Sequence, residues 1–382
     1  MLHKYTLRLV IFVAKTHYFY PKLKDNKLKS IAAQNYYVHF NENAYSAINN
    51  SLETNRYSKI FILVDEQTHE YCLPTFMSNI VGEYDFEIIE IESGEIYKNI
   101  ETATQVWLAL SELNADRKSL LINLGGGVVT DLGGFIASTY QRGIHFINVP
   151  TTLLSMVDAS IGGKTGIDLG VIKNQIGVIN TPEMVLIDTS FLQTLPREQM
   201  RSGLAEMLKH GLIQDEQYWK KMTHLNQLNE EILDELIYHS VIIKNKVVTQ
   251  DPTEKNLRKT LNFGHTLGHA IESYFLQSDE KKMLLHGEAI AIGMILAAYL
   301  SSEVTGFPVE QRDEIKEVLH SFYDSVFFEP NDIEAIIALL KYDKKNTHGN
   351  INFVLLETIG NPIIDITVSN ELIYSAFEYY NS

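Results

Sequence analysis

SLLINLGGGVVTDLGGFIASTYQRGIHFINVPTT (119–152) decides the fold class. An apolar run, 119–127, ends in three glycines. A helix-like stretch follows over 128–140, then a second apolar run over 143–152. Strand, glycine turn, helix and strand in that order predict a parallel, doubly wound sheet. The pattern extends outward. SKIFILVDE (58–66) predicts a buried strand ending in an acid, and FEIIEIESGE (86–95) a second, alternating strand. Val106, Leu108, Leu110 and Leu113 mark a helix over 99–115. Beyond about residue 195 the text becomes helix after helix, with INFVLLETIG (351–360) as a possible late hairpin. A boundary is expected near 188–195, where VLIDTSFLQTLP closes a strand and turns. The expected division is an extension over 1–30, an α/β domain over 31–190 and an α-helical domain over 191–382.

The 382 residues allow two ordinary domains, each with its own core. Hydrophobic content of 45% and charged content of 21% indicate a globular chain. The net charge of −16 argues against non-specific nucleic-acid binding. An anionic substrate would therefore need a local cluster of Lys and Arg. A single cysteine, Cys72, excludes an internal disulfide and a cysteine-based zinc site, and fits a reducing, cytoplasmic setting. LVIFVA (9–14) is too short to span a bilayer and lacks a small-residue cleavage site, so no signal peptide is expected. No other segment is read as approaching transmembrane length.

LNFGHTLGHAIE (261–272) carries Asn262, His265 and His269 at spacings of three and four. On one continuous helix these side chains would share a face. If that helix starts soon after Pro252, Glu254 and Arg258 join the same arc. Leu261, Phe263, Leu267 and Ile271 flank this polar seam with apolar residues, which points to a packed helix facing a cavity. LLHGEA adds His286, and LAEMLKHG adds Glu206 and Lys209. Glu and His are ligands that zinc accepts with a position left open. Such a face could hold a metal or move protons.

Gly125–Gly127 at a strand end would let a diphosphate approach the backbone at a helix N-terminus. The spacing is not G-x-G-x-x-G, and a tight packing turn is an almost equal reading. Asp65 could hold a ribose diol or simply cap a helix. In 155–177 the glycines Gly162, Gly163 and Gly166 around Lys164, followed by Lys173 and Asn174, read as a functional loop wrapped around a ligand. Arg142 closes a helix as either cap or ligand.

Taken together, GGGVVTDLGGFIASTYQRG, VPTTLLSMVDASIGGKTGID, KNQIG, LAEMLKHG, LNFGHTLGHAIE, LHGEAIAIGM and DKKN resemble the 3-dehydroquinate synthase family of sugar-phosphate cyclases, from about residue 58 to about 360. The resemblance implies a Rossmann-like NAD-binding α/β domain followed by a mainly α-helical metal- and substrate-binding domain. It implies a zinc or cobalt site of Glu206, His265 and His286. Proton transfer would fall to His269, with Glu254 as a second acid/base candidate and Lys164, Asn262 and Arg258 as further catalytic residues. NAD would meet Asp65, Glu95, Lys98, Gly126, Gly127, Val128, Asp131, Thr151, Thr152, Lys173, Phe191, Leu192, Gln193 and Thr194. Substrate would meet Asp158, Lys164, Asn174, Lys209, Lys244, Arg258, Asn262, His269 and Lys344. Arg142 would reach a neighbouring subunit's phosphate site, which implies a homodimer. DLGVIKNQIG replaces a His-Pro-type stretch found in many members, so the form of the 168–172 loop stays open.

The implied reaction converts 3-deoxy-D-arabino-heptulosonate 7-phosphate to 3-dehydroquinate and phosphate in the shikimate pathway. Carbon 5 is oxidised, phosphate is eliminated, the ketone is reduced again and an aldol step closes the ring. NAD is regenerated each turnover. A sister cyclase using sedoheptulose 7-phosphate or glucose 6-phosphate, a metal-dependent polyol dehydrogenase and an inactive NAD-binding scaffold are the alternatives.

Overall fold

The computed structural model describes residues 28–170, 172–223, 230–278, 281–340 and 351–382. Val171, Lys344 and most of the expected extension over 1–30 lie outside them. The chain divides into two compact units, Met1–Leu195 and Pro196–Ser382.

The first unit is α/β. Its elements are β1 (Ile31–Ala32), β2 (Tyr37–Phe40), α1 (Glu42–Thr54), β3 (Ile60–Asp65), α2 (Glu66–Tyr71), α3 (Leu73–Ser78) and β4 (Phe86–Ile91). They continue through α4 (Ile100–Glu112), β5 (Leu120–Gly125), α5 (Gly127–Thr139), β6 (His145–Pro150), β7 (Lys164–Leu169), β8 (Ile172–Ile179) and β9 (Met184–Ile187). Seven strands form one sheet in the order β1-β2-β9-β6-β5-β3-β4. All neighbours pair parallel except β1 with β2.

The apolar runs read from sequence are these central strands. Phe61, Ile62, Leu63 and Val64 of β3 and Leu120, Leu121 and Ile122 of β5 are fully buried, as expected of strands covered on both faces. Two polar residues sit among them. Asn123 of β5 lies beside Asn148 of β6 and donates Nδ2–H to its Oδ1 at 2.9 Å. Gly133 of α5 lies directly over the Asn123 amide, where a Cβ would clash. The connections reverse between β3 and β5: β3 continues to β4 on one side, and β5 to β6 on the other. In open α/β sheets, the crevice at such a switch point is where ligands bind.

Segment 155–177 is regular structure where a loop was expected. Ser155–Ala159 is a π turn, and β7 and β8 form an antiparallel hairpin of their own. Gly166 and Gly177 face each other across it, and a Cβ on either would meet the opposite backbone. Leu169, Ile176, Val178 and Ile179 are exposed there while Ile167 is buried, so no clean apolar alternation announced the strands in the sequence.

The second unit is mainly helical: α6 (Arg197–Gln214), α7 (Glu216–Thr223), α8 (Glu230–Gln250), α9 (His265–Gln277), α10 (His286–Thr305), α11 (Val309–Phe322), α12 (Pro330–Leu339) and α13 (Asn370–Asn381). Between α12 and α13, β10 (Asn352–Thr358) and β11 (Asn361–Thr367) form the late hairpin. α10 packs against α6, α9, α11, α13 and β10. It is 20 residues long and apolar enough to cross a bilayer by length and composition, contrary to the expectation that no segment beyond the N-terminal run came close. Most of it is buried within the fold. A helix apolar all round is what a central core position demands.

Candidate metal centre and cofactor turn

Three helices of the second unit bring the expected metal ligands together. Glu206 lies inside α6 and is fully buried. His265 and His286 are the first residues of α9 and α10. Gly264 enters α9 with φ 77°, a left-handed conformation that glycine adopts freely. The Gly264 carbonyl lies against Gly293 of α10, and Gly268 rests on Ala289 and Ile290. A Cβ on Gly293 would overlap that carbonyl, so this glycine sets how close α9 and α10 come. At the other side Gly287 abuts the Ser202 backbone and donates its N–H to Ser202 Oγ at 3.0 Å.

Glu206 Oε1 stands 3.3 Å from His265 Nε2 and 3.8 Å from His286 Nε2. Its other oxygen is ion-paired with Lys209, one turn along. Oε1 is buried and accepts no hydrogen bond from the described residues. Leaving such an oxygen unsatisfied is costly, on the order of 1–3 kcal/mol or more. Ligand atoms roughly 2.0–2.1 Å from a zinc ion at tetrahedral angles stand about 3.3 Å apart, so the three atoms fit a divalent cation. The far ring nitrogens are tied back. His265 Nδ1 donates to the Phe263 carbonyl at 3.1 Å, and His286 Nδ1 is 3.3 Å from Glu272 Oε2. Those partners leave each Nε2 directed at Glu206.

The charges agree with the geometry. Burial pushes Glu206 up, but Lys209 and His265 outweigh it and hold the carboxyl well below its usual range. Burial and Lys209 lower His265, against the pull of Glu206. Burial also lowers His286, but Glu272 and Glu206 prevail and raise it to about 9. His269 lies one turn beyond His265, partly exposed, with its ring centre 5.1 Å from His265 and 5.7 Å from His286. One ring nitrogen from each of the three imidazoles lies within 4.8 Å of the other two.

Asn262 corrects an expectation. It does not share a helix with His265 and His269. Leu257–Asn262 is a 3-10 turn, and Gly264 breaks the chain before α9 begins. Glu254 and Arg258 therefore share no helical arc with the histidines either. They are organised by a different device. Asp251 accepts the backbone N–H of Lys255, Asn256 and Arg258, folding the segment back on itself. Within it Asn262 donates to Glu254 Oε1 at 3.0 Å, so that pair still meets, with Glu254 at φ 58°. Arg258 is buried and donates to the Pro252 carbonyl; Lys244 of α8 is buried as well. Lys344 lies outside the described residues.

In the first unit Asp65 ends β3 and Gly125 ends β5, with Gly126 and Gly127 leading into α5, both at the switch point. Asp65 Oδ1 accepts from Thr68 N and Thr68 Oγ1, so it does cap α2. Gly126 caps α5 and, being glycine, supplies no side-chain cap bond to the first-turn N–H groups. A Cβ on Gly126 would come within 3.0 Å of Thr152. Thr151 N donates to the Gly125 carbonyl at 3.0 Å, and Val128 and Asp131 occupy the first turns of α5. Phe191 and Leu192 are buried in the 3-10 turn Thr189–Thr194, which also holds Gln193.

Lys98 is buried in a network. Its Nζ lies 2.8 Å from Glu95, 2.9 Å from Asn174 Oδ1, 3.6 Å from Asp131 and 3.9 Å from Asp168. Burial lowers its pKa, but the three carboxylates outweigh that and raise it. Lys173 reaches Glu95 at 3.5 Å. Asn174, at φ 50°, donates its N–H to Asp168 Oδ1 at 2.6 Å. Lys164 is exposed at the start of β7, Asp158 lies in the π turn, and Arg142 is exposed at φ 70°. Glu272, Asp251 and Asp168 were not singled out from sequence. Glu272 alone left a signal: seven residues after His265, it shares that face of α9.

Residues 88–202 match the family model for the 3-dehydroquinate synthase N-terminal part, and 203–346 the model for its C-terminal part. A 3-dehydroquinate synthase of Parabacteroides distasonis is 41% identical over 337 residues, covering 88% of this chain and 95% of that protein. The fold resembles that of 2-deoxy-scyllo-inosose synthase, solved with carbaglucose-6-phosphate, NAD+ and Co2+ (TM-score 0.78, 24% identity, 92% of this chain and 99% of that one). It also resembles 2-epi-5-epi-valiolone synthase from Streptomyces hygroscopicus, solved with NAD+ and Zn2+ (TM-score 0.77, 25% identity, 94% and 99%).

Proposed function

The chain belongs to the 3-dehydroquinate synthase family, and we propose that it converts 3-deoxy-D-arabino-heptulosonate 7-phosphate to 3-dehydroquinate and phosphate as an NAD- and metal-dependent carbon–oxygen lyase. The observation that carries the metal part is Glu206 Oε1, a buried carboxylate oxygen that accepts no hydrogen bond from the described residues and faces two imidazole Nε2 atoms. Glu206, His265 and His286 are the proposed ligands of a zinc or cobalt ion. The first unit is the proposed NAD-binding domain and the second the metal- and substrate-binding domain. Bound there, the metal would supply Lewis acidity to a substrate hydroxyl, and NAD a reversible hydride acceptor.

The chain's own groups then have distinct tasks. Gly126 and Gly127 offer the backbone N–H groups of α5 to a diphosphate, and Asp65 stands at the neighbouring strand end for a ribose. Glu95, Lys98, Asp131 and Lys173 form one charged network beside that turn, with Thr151, Thr152, Val128 and Phe191–Thr194 completing the NAD contacts. Lys209 offsets the charge of Glu206. His269 adjoins the metal ligands without being one and is the proposed proton carrier. Glu254, oriented by Asn262, is the second acid/base. Lys164, Asp158, Asn174, Lys209, Lys244, Arg258 and Lys344 are the proposed substrate contacts. Lys and Arg in that set answer the substrate's carboxylate and phosphate in a chain of net charge −16. The chain is proposed to act as a homodimer. The exposed Leu169, Ile176, Val178 and Ile179 of the β7–β8 hairpin support that reading.

Supplying the heptulosonate phosphate with metal and catalytic NAD tests the proposal. Phosphate release far exceeding the NAD present, with no lasting absorbance at the NADH band, is expected. NADH accumulating in step with product would instead mean a dehydrogenase. Phosphate released only from sedoheptulose 7-phosphate or glucose 6-phosphate would mean a sister cyclase.

A further inference from the structure

The backbone at His286 is pinned twice. Gly287 N–H donates to Ser202 Oγ at 3.0 Å, and Leu285 N–H to Glu288 Oε2 at 2.9 Å. Neither bond fixes the direction of the imidazole, which still turns about two side-chain torsions. The contact recorded on its Nδ1 is Glu272 Oε2, 3.3 Å away, on a side chain only 6% exposed. Glu272 stands on α9, the helix that begins with His265. One element therefore carries one ligand and grips the ring of another.

We propose that Glu272 is a positioning residue of the metal centre: it holds the His286 ring through Nδ1 so that Nε2 meets Glu206 Oε1. The inference rests on His286 being a ligand, as read above. A carboxylate behind a ligating imidazole fixes which nitrogen carries the proton and makes the other a stronger donor. Glu272 adds a second negative charge near the cation without touching it. Removing such a partner lowers metal affinity by about 10–100-fold in comparable sites.

The test uses the full-length protein freed of metal, titrated with Zn2+ and Co2+ against a chromophoric chelator. Glu272→Gln keeps the shape and an acceptor but loses the charge. It is expected to weaken metal binding about tenfold and to alter the visible cobalt spectrum. Glu272→Ala is expected to lose about 100-fold. In a His286→Ala background, Glu272→Gln should cause no further loss. The proposal is overturned if Glu272→Gln binds both ions within twofold of the native protein with an unchanged cobalt spectrum. It is equally overturned if the loss persists undiminished in the His286→Ala background, since the carboxylate would then act through the fold at large. Should Glu272→Ala fail to fold, the isosteric glutamine variant decides. His286→Ala alone separates the two levels: native affinity there refutes the ligand assignment, whereas lost affinity there with none lost in Glu272→Gln refutes only the role of Glu272.

Discussion

Substituting Gly293 by alanine adds one methyl group at the crossing of α9 and α10. That Cβ would overlap the Gly264 carbonyl and lie 2.9 Å from Gly268 N. Both atoms are backbone, so no flexible side chain can yield. Restoring ordinary contact requires the helices to part by about 1 Å. Overpacking of this kind costs about 1–3 kcal/mol. The consequence for the metal is separate. His265 opens α9 and His286 opens α10, and their Nε2 atoms lie 3.3 and 3.8 Å from one carboxylate oxygen. Functional groups of this kind must be held within about 0.5 Å, so a 1 Å separation should weaken metal binding at least tenfold. Gly306→Ala is the control. Gly306 has a left-handed φ, 76°, and nothing lies within 4 Å of its Cβ position. It should cost about 1 kcal/mol through backbone strain and leave metal binding intact. Denaturant unfolding of the metal-free proteins and chelator competition measure the two effects independently. If Gly293→Ala binds zinc as tightly as the native chain, the helix crossing does not set the ligand geometry and the reasoning fails.

His269→Ala should retain bound metal and slow turnover by roughly 10²–10⁴-fold, the range for a lost general acid or base; metal analysis showing the same depletion as His265→Ala would make it a ligand instead. Lys164→Ala should weaken substrate binding at least tenfold, as loss of a charge-assisted contact implies, while leaving NAD binding near native; calorimetry showing equal weakening of both would contradict the assignment. Asp332 accepts from Tyr274 Oη at 2.5 Å and Glu329 N at 2.9 Å and pairs with Lys281. Burial pushes its pKa up, but Lys281 and Tyr274 outweigh burial and depress it below 3.8. Its contribution is therefore complete above that value and lost as pH falls through the lower folded pKa. Asp332→Asn should destabilise by about 1–3 kcal/mol at pH 7, with the gap to the native chain closing in strong acid; a pH-independent gap in denaturant unfolding would show that the charge is irrelevant.

The parts legible in sequence were those whose burial was uniform. β3 and β5 are covered on both faces, so their apolar runs name them without reference to any neighbour. The β7–β8 hairpin was illegible for the opposite reason: glycines paired across it and apolar side chains left outside give no alternation to read. Glu206, His265 and His286 were singled out as a set by the family resemblance, while the continuous helix drawn through Asn262 was wrong. Gly264 resembles a tolerated helical glycine until its contact with Gly293, twenty-nine positions downstream, is seen. Asp251 and Glu272 were hidden because an acid on a polar stretch is by default solvated. Their roles lie in backbone N–H groups and a ring nitrogen that only the folded chain brings near.

The Asn123–Asn148 contact has a consequence for how the switch-point crevice stays level. Among greasy neighbours that would interdigitate almost equally well after sliding, two amides can meet in only one alignment. That alignment puts Gly125 beside Pro150, so both strand tips finish at the same height. Replacing the pair by leucines would be expected to leave the melting point nearly unchanged, since a hydrogen bond and its desolvation largely cancel. What would be forfeited is uniqueness: the two edges of the crevice could drift against each other like an unlatched sliding door.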